Sequence, residues 1–146
     1  MLEIYKLHAE LADRVSQRRE AASRLHIGLL SGLGLFAGVF PEFVDLEALT
    51  HTVFLAVGIL GMAISFSWWV VMGSYRQLND GKFEALQELE EKIAFPFFTR
   101  EWEILGKGTK PRRYRKLTAV ETILPIAFGV LSLGLTVIQA HVLIAV

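Results

Sequence analysis

Apolar residues in this chain are gathered into blocks, and the spacing inside and between the blocks predicts the elements. Residues 52–73, TVFLAVGILGMAISFSWWVVMG, carry no formal charge. A helix of that length spans roughly 33 Å at 1.5 Å per residue, enough for a hydrocarbon core of about 30 Å. Trp68, Trp69 and Tyr75 sit toward its end, where amphipathic rings favour a membrane interface. Residues 117–146 form a second block, with Glu121 near its start and no charge from Thr122 onward. Pro125 is expected in its first turns, where the missing backbone donor costs least and a kink can form. Residues 26–44 are a weaker third block, long enough only if Arg24 snorkels its head group to the interface; a re-entrant segment is the alternative.

Between the blocks the pattern is that of amphipathic helices. Ile4, Leu7, Leu11 and Val15 follow one helical face through residues 1–25, and such a stripe must bury itself against another helix or another subunit. After the central block, Leu78, Leu86, Leu89 and Ile93 make a stripe with Glu84, Glu88, Glu90 and Glu91 placed outside it as a solvated face. Asn79-Asp80-Gly81 has turn composition, yet the flanking periodicity favours one continuous helix. Pro96 stops that helix, and Thr99 is placed to cap a short successor.

The fold class expected is all-α and membrane-embedded: three transmembrane helices with cytoplasmic helical extensions, assembling as a homo-oligomer. The expected layout is an amphipathic helix over 1–25, spans over 26–44, 52–73 and 117–146, an external loop over 45–51, and a cytoplasmic stretch over 74–116. Charge orients it. Of 15 basic residues, five precede residue 26 and ten lie between Arg76 and Lys116, whereas residues 41–50 hold Glu42, Asp45 and Glu47 with no Lys or Arg. The basic segments belong in the cytoplasm and the C-terminus outside. A mixed-charge N-terminus ahead of the first apolar block argues against a cleaved secretory signal.

Composition then removes options. The chain has no cysteine and a formal net charge of zero, so thiolate chemistry is excluded and bulk charge points to no nucleic acid. His8, His26, His51 and His141 are scattered, and no spacing matches a catalytic or metal motif. The reading is of a protein that is not an enzyme and has no cofactor.

Three groups of residues are candidates for contacts. Gly28 with Gly32, Gly34 with Gly38, and Ala63 with Ser67 place small residues four apart, which lets membrane helices approach closely and makes them the oligomer-packing candidates; Gly58, Gly61 and Ser65 lie on another face. Phe95, Phe97, Phe98 and Trp102 form an aromatic cluster that packs on the cytoplasmic helices or the membrane surface, or else meets a cytoplasmic protein or ligand. Arg112, Arg113, Arg115 and Lys116 belong to a basic run suited to anionic lipid headgroups, and Glu121 is placed to pair with Arg115 or Lys116.

Residues 5–19, YKLHAELADRVSQRR, and residues 74–105, SYRQLNDGKFEALQELEEKIAFPFFTREWEIL, resemble the RipA family of small bacterial inner-membrane proteins. The resemblance implies a ring-like oligomer, octameric in that family, and carries over no catalytic residue. The function expected is a bacterial inner-membrane assembly forming a pore or channel-like structure with a cytoplasmic sensing portion. The alternative is a scaffold or regulatory subunit that recruits a partner protein through its cytoplasmic segment.

Overall fold

The computed structural model describes residues 2–43, 47–92, 96–104 and 117–145, with the side chains of residues 2, 4, 8, 9, 12, 47, 48, 97, 98, 102 and 117–121 outside that description. All its regular elements there are helical. Helix α1 covers Leu2–Val39, a short 3-10 turn follows at Phe40–Glu42, and α2 covers Glu47–Glu90. Helix α3 is Phe97–Ile104 and α4 is Leu117–Ala145.

The boundaries have local causes. Pro41 falls in the 3-10 turn, where its missing N–H ends regular α-helical bonding, and the Phe43 amide donates to the Phe40 carbonyl at 3.1 Å. At the end of α2 the Lys92 amide donates to the Leu89 carbonyl at 3.1 Å, a tightened last turn ahead of Pro96. Asn79, Asp80 and Gly81 lie inside α2 without a break. Helix interiors accept such residues when a packed face holds the rest in place. Pro125 is not in the first turn of α4; it is the ninth residue, inside the helix. The carbonyl of residue 121 consequently lacks its helical donor. Membrane helices tolerate this where neighbours surround the site, and Pro125 is fully buried.

Among the described residues three helices are long and apolar enough to cross a membrane: Asp13–Glu42, Leu49–Glu90 and Thr122–Ala145. The chain divides into two compact units. One comprises Met1–Ala21 with Met72–Glu121, the other Ala22–Val71 with Thr122–Val146.

In the first unit the core is built on Val15, Met72 and Leu86. The expected α1 stripe is only partly inward: Val15 is buried, but Leu7 and Leu11 are exposed. On α2 the inward face runs through Met72, Asn79, Phe83, Leu86 and Glu90, while Leu78 points outward. In the second unit the core centres on Trp68, with Leu30 and Val57. Trp68 is therefore not an interface anchor; successive helical residues diverge by about 100°, so Trp68 turns inward and Trp69 outward, 1% and 48% exposed.

Candidate functional site

Within the first unit, the more polar of the two, the most unusual group is Glu90. Its position four residues after Leu86 puts it on the buried face of α2, and it is 2% exposed. This overturns the solvated-face reading: Glu84, Glu88 and Glu91 are exposed, but Glu90 is not. A buried carboxylate persists only when its lone pairs are occupied. Tyr5 donates its hydroxyl to Glu90 Oε1 at 2.9 Å. The Thr99 amide and hydroxyl both donate to Oε2, at 3.0 and 2.8 Å.

Thr99 thus does not cap α3. It is the third residue of that helix, and its amide is one of the first-turn donors that no intrahelical carbonyl can reach. Glu90 supplies the cap from outside, with its negative charge set against the positive end of the α3 dipole. The Tyr5 hydroxyl is held above its ordinary value, at about 12, first because burial penalises the phenolate and then because the Glu90 carboxylate accepts its proton in a hydrogen bond and repels the ionised form. The three groups tie α1, the end of α2 and the start of α3 together. Elsewhere in the same unit, Lys82 Nζ donates to the Leu11 carbonyl at 3.3 Å.

In the membrane unit the helices meet through close contacts and two histidines. His26 donates from Nδ1 to the Ala22 carbonyl at 2.7 Å and stacks on Trp68, with ring centroids 5.9 Å apart and planes 12° apart. Trp68 also meets Phe128 of α4 at 6.4 Å. His51 Nδ1 and Gln139 Oε1 are 2.8 Å apart; with a side-chain carbonyl as acceptor, the imidazole is the donor. Gly58 and Gly61 lie where α2 and α4 pack closely. A Cβ on Gly58 would land on Thr136 Oγ1, 3.0 Å from the Thr136 amide and 3.1 Å from the Ser132 carbonyl. On Gly61 it would meet Ser132 Oγ.

The small residues singled out for oligomer packing take no part in this. Gly28, Gly32, Gly34 and Gly38 have nothing within 4 Å of an added Cβ, and Ala63 and Ser67 are exposed. They remain open on the outside of the protomer. On the other side of the α2–α4 contact lies an open groove of about 380 Å³, lined by Met62, Ser65, Phe66 and Trp69 of α2 and Pro125, Ile126 and Gly129 of α4. Two polar atoms of this unit, Ser65 Oγ and Trp68 Nε1, are buried with no hydrogen-bond partner among the described residues.

The cytoplasmic-contact candidates fall outside the description: Phe95 lies wholly outside it, and Phe97, Phe98 and Trp102 have described backbone only. Arg112, Arg113, Arg115, Lys116 and the Glu121 side chain also lie outside it. Among the described residues no three His, Asp or Glu side chains come together as a metal site. The residues missed by sequence reasoning are Tyr5, Glu90 and Thr99. Their one local signal was the i, i+4 relation of Glu90 to Leu86.

No curated protein and no solved structure matches the chain. A sequence model does, over residues 2–141, nearly the whole of the helical architecture described above. The three apolar spans agree with that match, and the chain belongs to the octameric membrane protein family (8xMP).

Proposed function

We propose that eight copies close a ring in a bacterial inner membrane, and that the space enclosed by the ring is a pore-like element governed by the cytoplasmic unit. The observation that carries this reading is the thinness of the protomer. Only 11%, 28% and 6% of its three most apolar span segments are buried inside it. With so little of each span covered within one protomer, the opening in this reading lies between subunits. A patch that meets a different patch on the next copy closes a ring when the rotation between copies closes. The octameric family supports the number.

In this reading the N-terminus and residues 74–116 face the cytoplasm, as the basic residues favour, and the C-terminus faces the periplasm. Arg112, Arg113, Arg115 and Lys116 hold anionic lipid headgroups. The protein acts without catalysis, and the likeness to the RipA proteins belongs to the same proposal. Ion flux into liposomes carrying the purified oligomer tests it. Flux that requires the intact eight-chain species is expected; no flux across a range of pH and voltage would remove the pore.

The scaffold alternative draws on one observation, the order built into α3 by Glu90. A short helix fixed at its first turn offers a partner a backbone of set conformation over residues 97–104. Photo-crosslinking from Trp102 in cells separates the readings: a second protein captured there favours recruitment, and self-contacts alone disfavour it.

A further inference from the structure

Two surfaces of the membrane unit are unfilled, and they match. The first is the outer face of α1. Gly28 and Gly32 lie roughly half a turn round from His26 and Leu30, which face the core, and an added Cβ at either glycine would meet nothing within 4 Å. The second is the groove of Met62, Phe66, Trp69 and Ile126. Phe66 is 66% exposed and Trp69 48% exposed, with ring centroids 6.2 Å apart.

The two surfaces also lie at the same level. His26 stacks on Trp68, and Leu33 lies 3.8 Å from where a Gly61 Cβ would stand. Seven residues up α1 therefore correspond to seven down α2. By the same register Gly28 is level with Phe66 and Gly32 with Met62. Rotation about an axis along the membrane normal preserves depth, so in a ring the glycine pair of one protomer faces the bulky pair of the next. The sides agree as well. Trp68 touches both α1 and α4, whereas Met62, Phe66 and Trp69 lie about 100–160° round α2 from it, across the α2–α4 contact from α1. Glycines on one edge and a groove on the other edge make a head-to-tail contact that closes a ring.

We propose that the Gly28–Gly32 face of α1 seats in the Met62–Phe66–Trp69 groove of the neighbouring protomer, and that this contact builds the octamer. It rests on the ring reading above and says which surfaces make it. Small residues let the two backbones approach around the aromatic rings, and in lipid that packing is what holds helices together. The groove also contains Ser65, 2% exposed, whose hydroxyl has no partner among the described residues.

The chain has no cysteine, so engineered pairs report contacts cleanly. Gly28→Cys and Phe66→Cys are placed in one chain, oxidised in native membranes, and the products sized in denaturing detergent, with native mass of the undenatured complex measured alongside. A ladder reaching eight chains is expected from the double variant and monomers from each single variant. Gly38→Cys with Phe66→Cys, about 15 Å out of register, should remain monomeric. Dimers from Gly28→Cys alone, or equal yield from the out-of-register pair, would overturn the proposal. So would an octameric native mass with no cross-link, which assigns the groove to lipid chains and leaves the octamer standing. A native mass that is not octameric would remove the ring reading itself and this contact with it. Gly32→Leu, which meets nothing in its own protomer, should cut the eight-chain species at least about tenfold at unchanged helical content; an undiminished octamer would count against the contact.

Discussion

At the scale of single residues, Glu90 is the position on which most depends. Its carboxylate accepts from the Tyr5 hydroxyl, the Thr99 amide and the Thr99 hydroxyl. Glu90→Ala strands those donors and leaves a cavity, at a cost of about 1–3 kcal/mol for each donor that water cannot reach. The expected outcome is fast amide exchange at Thr99 with the exchange of α4 unchanged; slow exchange at Thr99 would show that Glu90 holds nothing. Tyr5 adds a pH dependence whose sign follows from its raised value. Its folded pKa of about 12 exceeds the ordinary tyrosine value of 10.0, so the neutral phenol is favoured by folding. That contribution is complete below about pH 10 and is lost as pH climbs toward 12. A phenolate absorbance step near pH 12 should vanish in Tyr5→Phe. Neither effect was legible in the sequence, because Tyr5 and Glu90 are 85 positions apart and only the packing of α1 on α2 brings them together.

At the scale of the element, the glycines divide by what an added methyl would meet. Gly81 lies inside α2, and its Cβ would meet nothing within 4 Å. Gly81→Ala should therefore stabilise the polar unit by about 0.5–1 kcal/mol, the helix-propensity difference, read as a rise in its thermal midpoint. Gly58→Ala should do the reverse. Its methyl would press on the Thr136 amide and the Ser132 carbonyl, backbone atoms that cannot rotate away, at a cost of about 1–3 kcal/mol. A neutral Gly58→Ala would mean that α2 and α4 are not held this close. The spans themselves were legible, since uncharged runs of some 20 residues have few other fates. Which glycines face inward was not. Gly28, Gly32, Gly58 and Gly61 share one composition and similar spacing, and only the antiparallel register of α2 with α4, fixed by contacts such as His51 with Gln139, separates the closed pair from the open one. Glu90 is hidden for a related reason: charge ordinarily marks a solvated position, whereas its helical phase with buried Leu86 turns it inward.

At the scale of the whole molecule, the balance between contacts within a protomer and contacts between protomers sets how stability should behave. Large apolar side chains such as Leu35, Phe66, Leu131 and Val137 are exposed on the protomer. Lipid satisfies them as well as protein does, so burying them gives no hydrophobic gain in a bilayer. Packing must supply the difference, and with so little of each span covered internally, a large share of it has to come from neighbours. A membrane protein held mainly by its own core unfolds at a midpoint independent of its density in the bilayer. One held by neighbours does not, because association adds a mass-action term to the stability of each chain. Diluting the protein tenfold with lipid should lower its thermal midpoint, and Gly32→Leu, which spares the protomer and removes the contact, should abolish that dependence. A midpoint that ignores dilution in the unsubstituted chain would mean that three thin helices stand unaided, and the ring would then be an arrangement of stable units and not the source of their stability.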